Sequence, residues 1–292
     1  MFLKPKVDFF IVGAPKAGTT SLYSYLNRHP EIEMSTIKEP DYFSNEFIEE
    51  QSLYYKKESV RSLKKYHSLY SDIKNLVRGE ASVSYLFYEK VPKKIFKYNS
   101  SSKIIIMLRN PIDRAYSHYL MDKRLGFITE SFEKIVYQKS THKNSALFYQ
   151  QYIGLGQYTH QIKNYFDVFS KKNILIINYD DFICNSSEVL NKVYVFLSVE
   201  KRSLSNTNKV YNKYTKPSNK LVQFLYTFSF FRKLASSFFS QSIKAKIQAL
   251  FFKDEKKPTL NSEIQIYLKE YYKVELEKLS KLLNQNYSKW IK

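Results

Sequence analysis

A glycine turn between an apolar stretch and a helical pattern constrains the fold of this chain more than any other feature. The stretch is FFIVGAPKAGTTSLYSYL, residues Phe9–Leu26. Bulky apolar residues lead to Gly13, a short loop follows, and apolar residues then recur at helical spacing. A strand that turns tightly into a helix aims backbone N–H groups at one point, where the helix N-terminus adds partial positive charge. The sequence therefore predicts an anion-binding strand–loop–helix unit.

The loop carries side chains suited to a phosphate-like group. Lys16 lies inside it, and the rest of the predicted cradle is small or hydroxyl-bearing: Ala17, Gly18, Thr19, Thr20 and Ser21. A nucleotide-hydrolysing P-loop is an alternative, because Gly13 and Gly18 have the spacing of its two glycines. Thr19 stands where that motif has lysine, although Asp180 follows a later strand and could take the place of its magnesium-binding acid.

Strand and helix patterns alternate along the first two thirds of the chain. The predicted strands are residues 8–12, 31–35, 76–81, 103–111 and 173–179, and the predicted helices are residues 19–27, 91–98, 112–124, 158–169 and 186–197. Residues 46–70 are predicted to be partly helical, and residues 261–283 form a long helix capped by Asn261 or Ser262. Apolar strands between helices indicate a parallel sheet covered on both faces.

The predicted fold class is therefore α/β, with three layers (α/β/α), a central parallel sheet and a P-loop-like loop. We predict one domain over residues 1–292. It divides into an α/β core at residues 1–200, a basic loop with amphipathic helices at residues 201–260, and a C-terminal helix at residues 261–292.

Charge is the strongest compositional feature. The chain has 47 Lys and Arg against 27 Asp and Glu, a formal net charge of +20. Such a field attracts nucleotides, nucleic acid, acidic glycans or anionic lipid. A composition generally rich in lysine is an alternative explanation of the high net charge. It does not explain how the charges are distributed along the chain, because residues 201–253 hold 11 basic residues and no acidic one. Residues 221–252 also have apolar residues at helical spacing, which predicts basic amphipathic helices that either pack in the core or lie on anionic lipid.

Cysteine content and hydropathy indicate the compartment. Cys184 is the single cysteine, which excludes an internal disulfide and indicates a reducing compartment. No apolar run approaches the roughly 20 residues that span a bilayer, and the N-terminus lacks the apolar core and cleavage site of a signal peptide. We expect a cytoplasmic protein, either soluble or peripheral at the inner face of the membrane.

Two motifs in this sequence resemble those of sulfotransferases that use 3′-phosphoadenosine-5′-phosphosulfate (PAPS). GAPKAGTTSLYSYLNRHPEI resembles their 5′-phosphosulfate loop, and KIIIMLRNPIDRAYSHYL resembles their 3′-phosphate motif, with Arg109 and Ser117. KEPDYFS and GEASVSYL resemble segments of the glycan-modifying, heparan-sulfate-type and bacterial branch. The similarity covers most of residues 8–197 in the order of the family. It implies PAPS as donor, PAP as product, no metal, and a glycan or glycolipid as acceptor, with no nucleic-acid partner.

The resemblance also implies roles for individual residues. Lys16 would stabilise the leaving phosphate, while Arg109 and Ser117 would bind the 3′-phosphate, for which a planar guanidinium is well suited. A glutamate after the first helix is the general base in the glycan-modifying branch, and Glu39 corresponds to it. The alternative for Glu39 is a turn residue paired with Lys38.

The chain departs from that branch at two positions. Asp41 stands where several members have histidine, and Ala81 where some heparan-sulfate enzymes have lysine. Heparan sulfate itself is therefore not implied as the acceptor. His118 is an alternative base, although a packing or surface position is also open to it, and His29 is expected to close the first helix.

A basic segment, NKYTKPSNK at residues 212–220, falls where the family often folds a loop over the nucleotide. Lys213, Lys216 and Ser218 are its candidate contacts, with a solvated lysine loop as the alternative. The predicted function is transfer of the sulfuryl group from PAPS to a hydroxyl or amine of a carbohydrate-containing acceptor. The alternatives are a P-loop kinase or NTPase, and a non-catalytic basic module that binds polyanions or a membrane.

Overall fold

The structure, a computed structural model, describes residues 6–54, 59–202, 215–217, 252–254 and 257–292. Within these ranges, five strands form one parallel sheet in the order β2-β3-β1-β4-β5. The strands are β1 Phe9–Gly13, β2 Ile32–Met34, β3 Val77–Ala81, β4 Lys103–Leu108 and β5 Ile174–Asn178. Two short strands, β6 Thr215–Pro217 and β7 Phe252–Asp254, form a separate antiparallel pair.

Helices cover the sheet on both faces, as the sequence predicted for a parallel sheet. In the described part of the chain they are α1 Thr19–Leu26, α2 Asn45–Glu50, α3 Leu63–His67, α4 Val91–Tyr98, α5 Pro111–Arg124, α6 Phe132–Val136, α7 Ser145–Tyr152, α8 Tyr158–Phe166, α9 Tyr179–Cys184, α10 Ser186–Leu197 and α11 Ser262–Leu283. The three-layer α/β class predicted from the sequence is confirmed.

The centre of the sheet is apolar on both faces. Every residue of β1 is buried, as are the residues of β4 after Lys103. Phe9 lies opposite Gly79 of β3, where an added Cβ would stand 2.1 Å from the Phe9 ring. The glycine in β3 therefore makes the space that the aromatic ring of the central strand occupies.

Local sequence signals set the ends of the elements to within a few residues. The predicted strand 103–111 ends at Leu108, because Asn110 caps α5 by accepting from the N–H of Ile112 at 2.9 Å and Pro111 begins the helix. Pro at the first helical position loses no hydrogen bond that the helix would have made. The C-terminal helix α11 is capped by Asn261, one of the two residues predicted to do so.

Residues 125–157 contain helices that the sequence patterns did not predict. Helices α6 and α7 lie here, and α7 places the fully buried Tyr152 beside α5. Tyr272 of α11 donates to the carbonyl of Ile153 at 2.7 Å, which joins the C-terminal helix to this region.

Most of the predicted basic loop and amphipathic helices lies outside the described residues. The exceptions are β6, which forms inside the predicted loop, and β7, which begins at Phe252. The membrane contact and the cytoplasmic location therefore stay predictions. None of the helices in the described part of the chain has both the length and the apolar character needed to cross a bilayer.

Candidate active site

The order of the strands places a cavity at the carboxyl edge of the sheet. The chain leaves β1 toward β2 and β3 on one side, and β4 and β5 lie on the other. Crevices that bind ligands in open α/β sheets form at such a reversal of strand order. A cavity of about 470 Å³ lies here, lined from the loop after β1, the end of β4, α5 and the residues after β2.

The loop after β1, residues 14–18, is called the glycine loop here. The N–H of Ala14 donates to the carbonyl of Met107 at 2.7 Å, which ties the loop to β4. Lys16 and Gly18 both have a left-handed backbone, with φ of 67° and 88°. An added Cβ on Gly18 would also lie 3.0 Å from the Tyr179 ring, so glycine fits this position for two reasons.

Helix α1 begins where this loop ends. Thr19 is the first helical residue, and N–H groups in the first turn of a helix have no carbonyl four residues earlier to bond. Thr19, Thr20 and Ser21 all line the cavity, as do Lys16 and Gly18. Ala17 does not: its side chain is fully buried and its N–H donates to the carbonyl of Ala14 at 3.2 Å, so it shapes the loop instead.

Arg109 comes directly after β4 and faces the glycine loop. Its Nη1 donates to the carbonyl of Lys16 at 3.0 Å, and its guanidinium carbon lies 4.5 Å from the centroid of the Tyr179 ring. Ser117 follows two turns along α5 and lines the same cavity. Arg109 and Ser117 thus line one cavity, as their predicted convergence requires.

Lys16 is the most perturbed cation of the site. Burial and the neighbouring Arg124 and Arg109 lower its pKa to about 8, against the attraction of Asp122 and Glu39. Its Nζ lies 3.3 Å from the sulfur of Met121 on α5. A bound anion would supply the negative charge that this buried ammonium lacks, and would raise its pKa.

The loop after β2, residues 38–41, is called the glutamate loop here. Glu39 lines the cavity with a left-handed φ of 62°, and its N–H donates to the carbonyl of Ala81 at 2.9 Å. Its carboxylate accepts from Lys38 Nζ at 2.6 Å. The pairing with Lys38 expected for a turn residue is therefore present, and the same carboxylate lines the cavity. The role of Glu39 as general base stays a prediction.

Asp41 turns away from the cavity into a buried polar network. Its N–H donates to Ser82 Oγ at 3.1 Å, and Ser84 Oγ donates to its Oδ1 at 2.5 Å. Ser82 Oγ in turn donates to Glu80 Oε1 at 2.6 Å, and Tyr66 donates to the other oxygen of Glu80. The glutamate loop is thus held by side chains of the segment that contains β3.

Glu80 is fully buried at the end of β3. Burial raises the pKa of Glu80 to about 7, although hydrogen bonds from Ser82 and Tyr66 oppose the rise. The carboxyl group that anchors the glutamate loop therefore takes up a proton near neutral pH.

Sequence reasoning missed one acid of the site, Asp122. It lines the cavity one turn after His118 on α5, and Tyr54 and Tyr152 both donate to its Oδ2. The available signal was the spacing i, i+1, i+4, i+5 from Ser117, which puts His118, Met121 and Asp122 on one side of a helix.

Other predicted residues have different positions. His29 is buried and hydrogen-bonded to the carbonyl of Glu200 at 2.9 Å, as a structural histidine would be. Asp180 does not line the cavity but accepts from Trp290 Nε1 at 3.0 Å, so the acid expected of a P-loop NTPase is not at the glycine loop. Lys213 and Ser218 lie outside the described residues, and Lys216 is in β6, whose side chains are not described.

Known proteins share both the sequence and the fold. Mouse carbohydrate sulfotransferase 15 is 26% identical over 246 residues, which cover 65% of this chain and 43% of that protein. The Caenorhabditis elegans bifunctional heparan sulfate N-deacetylase/N-sulfotransferase 1 is 29% identical over 196 residues, covering 66% of this chain and 22% of that protein. The chain thus spans less than half the length of these relatives.

Solved structures agree on the fold. A sulfotransferase from Alicyclobacillus acidocaldarius superposes with a TM-score of 0.72 at 24% identity, over 99% of this chain and all of that one. Mouse SULT7A1, solved with PAP, has a TM-score of 0.51 at 16% identity, covering 99% of this chain and 88% of that one. The family described as sulfotransferase domain matches residues 6–282, and the chain belongs to this family.

Proposed function

We propose that this chain transfers the sulfuryl group of PAPS to a hydroxyl or amine of a carbohydrate-containing acceptor. The observation that carries the proposal is one cavity that joins an anion cradle to a carboxylate. The cradle combines the glycine loop, the first turn of α1, Arg109 and Ser117, and the carboxylate is Glu39. The named carbohydrate acceptors of the sequence relatives support the choice of acceptor class.

The donor has two separated anionic groups, and the cavity offers a site for each. The N–H groups of α1 and Lys16 suit the 5′-phosphosulfate, because a helix N-terminus and a buried ammonium both favour negative charge. Arg109 and Ser117 suit the 3′-phosphate, since a guanidinium fork held by Lys16 and Tyr179 needs little further ordering to bind it.

Glu39 is the proposed general base. It takes the proton of the acceptor group as the acceptor oxygen or nitrogen forms its bond to sulfur. The bond between sulfur and the phosphate oxygen breaks in the same step, and Lys16 stabilises the negative charge that this oxygen gains. Lys38 Nζ donates to the Glu39 carboxylate at 2.6 Å and holds it at the wall of the cavity.

Nucleotide dependence tests this function against its rivals. Melting of the protein is measured with PAP in the presence of a chelator, and separately with Mg·ATP. We expect stabilisation by PAP without magnesium, of about 2.7 kcal/mol when PAP is at 100 times its dissociation constant. Stabilisation by Mg·ATP alone would identify a kinase or NTPase. Neither effect, together with salt-sensitive binding to polyanions, would identify a non-catalytic module.

Transfer itself is measured with labelled PAPS. Extracts of glycans and glycolipids serve as acceptors, and incorporation of label into them is the expected result. PAP binding without transfer to any carbohydrate fraction would contradict the acceptor class while leaving the donor site in place.

A further inference from the structure

A second polar cluster consists of Tyr54, His118, Asp122 and Tyr152, and two of its members, His118 and Asp122, line the cavity. Tyr152 donates to Asp122 Oδ2 at 2.8 Å, and Tyr54 donates to the same oxygen. His118 Nε2 is 3.9 Å from that oxygen, which is too long for a hydrogen bond. The transfer proposed above uses Glu39, Lys16 and the other residues of the anion cradle. It assigns no role to this cluster.

His118 and Asp122 offer hydrogen-bond acceptors, and no donors, to a ligand in the cavity. His118 Nδ1 is 3.1 Å from the carbonyl of Gln151, which can only accept, so Nδ1 carries the hydrogen and Nε2 presents a lone pair. Burial, followed by the charges of Arg114 and Lys16, lowers the pKa of His118 well below its ordinary value, so the ring is neutral. A carboxylate offers about four lone-pair sites, of which the two tyrosines occupy two at Asp122. Both groups can therefore accept from a ligand that donates.

The cluster shares its cavity with the proposed base and with Lys16. His118 and Asp122 line the same cavity as Glu39, and between them on α5 is Met121, whose sulfur contacts Lys16 Nζ. The leaving phosphate is assigned to Lys16, so a group that attacks sulfur reaches it near this turn of α5. Aromatic surface is also present, because Phe87, Tyr88 and Phe127 line the cavity.

We propose that His118 and Asp122 recognise an uncharged sugar as the acceptor, with sugar hydroxyls donating to Nε2 and to the carboxylate. The proposal rests on the sulfotransferase function above and narrows its acceptor class. A sulfate or a sugar carboxylate in the same place cannot donate to these groups, and once PAP is bound to Lys16 and Arg109 its charge would be repelled by Asp122. The apolar C–H face of a neutral sugar ring, in contrast, fits the aromatic lining.

A matched pair of probes tests this acceptor class. Hexyl β-D-glucoside and hexyl β-D-glucuronide have the same hexyl tail and the same sugar ring. The glucoside has a hydroxymethyl group where the glucuronide has a carboxylate. Each is titrated calorimetrically into the full chain saturated with PAP. We expect the glucoside to bind at least about tenfold more tightly, the size of one lost charged hydrogen bond. Equal or tighter binding of the glucuronide, or no binding of the glucoside, would overturn the proposal.

Substitutions locate the recognition at the cluster. Asp122→Asn keeps the shape and removes the charge, and should raise the KM for hexyl β-D-glucoside about tenfold, with smaller changes in kcat and in PAP affinity. Asp113→Asn, an exposed carboxylate on the same helix, is the control and should change neither. If Asp122→Asn does not fold, His118→Ala replaces it with the same expectation. An unchanged KM in a folded variant of either residue would remove that residue from the acceptor site.

The same preparations separate this proposal from the proposed function. PAP affinity and transfer of label to glycan extracts are measured alongside the two probes. If the protein neither binds PAP nor transfers label to the glycan extracts, the sulfotransferase function is refuted. Intact PAP binding with transfer only to anionic glycans refutes the neutral-sugar acceptor alone.

Discussion

Two loops at the same edge of the sheet are held in position in different ways. The glycine loop carries its own local signal, a left-handed Gly18 before a helix that begins at Thr19, and it is also tied to β4 by hydrogen bonds with Met107 and Arg109. The glutamate loop is set by side chains far away in sequence, since Ser82, 41 residues later, accepts from the N–H of Asp41. A loop of the first kind can be recognised in a sequence, whereas one of the second kind depends on the fold around it.

The largest expected effect is on the glutamate loop. Glu39→Gln removes the proposed base without changing its size, and should lower the single-turnover rate about 10²–10⁴-fold with PAP affinity unchanged. Glu50→Gln, an exposed carboxylate on α2, is the control. Near-normal turnover in the folded variant would mean that Glu39 only pairs with Lys38, and would leave His118 as the base.

The anchor of the glutamate loop predicts a dependence of stability on pH. The folded pKa of Glu80 is about 7, above its ordinary value of 4.5, so the folded protein holds this proton more tightly than the unfolded chain. The contribution of Glu80 to stability is therefore full below pH 4.5 and is lost as pH rises through 7. The two pKa values differ by about 2.5, which corresponds to about 3 kcal/mol.

Glu80→Gln should remove this part of the pH dependence. The free energy of unfolding is measured with denaturant at pH 5 and pH 8 for both proteins, and the loss between the two pH values should be smaller in the variant. An equal loss in both proteins would show that Glu80 does not titrate differently in the folded state.

A third expected effect concerns the end of β4. Arg109→Ala should weaken PAP binding by ~1.5–3 kcal/mol, the value of a hydrogen bond to a charged group. Arg109→Lys should recover only part of this, because lysine cannot make a fork that also donates to the Lys16 carbonyl and stacks on Tyr179. Arg61→Ala, at a surface ion pair, is the calorimetric control. Unchanged PAP affinity in folded Arg109→Ala would remove Arg109 from the donor site.

The smallest expected effect tests the backbone of the glycine loop. Gly18→Ala places a Cβ in a left-handed conformation, which costs roughly 1–2 kcal/mol of unfolding free energy, and it also brings that Cβ to 3.0 Å from the Tyr179 ring. Gly154→Ala is the matched control, because its Cβ would meet nothing closer than 3.6 Å. Equal melting temperatures for the two variants would show that the glycine loop tolerates a side chain at Gly18.

Much of the part of the cavity that we propose binds the donor could be predicted from the sequence. Apolar strands, glycine spacing and helix caps act over a few residues. The positions of β1, α1, β4 and α5 along the chain therefore follow from local patterns, whereas the order of the strands in the sheet does not. Arg109 and Ser117 lie eight residues apart on one strand end and helix, and their convergence is a matter of helical geometry.

The part of the cavity that we propose binds the acceptor was decided by the tertiary structure. Tyr54 and Tyr152 lie 68 and 30 residues from Asp122, and no periodic pattern relates them. Glu80 appears in the sequence as part of a strand, and its high pKa exists only because the fold buries it among tyrosines. By itself the sequence determined the strands of the central sheet, most of the helices around it and the glycine loop, because these are set by neighbours along the chain. The packing of distant segments decided which acids and tyrosines meet in the cavity, because burial and hydrogen bonding between them arise only once the chain has folded.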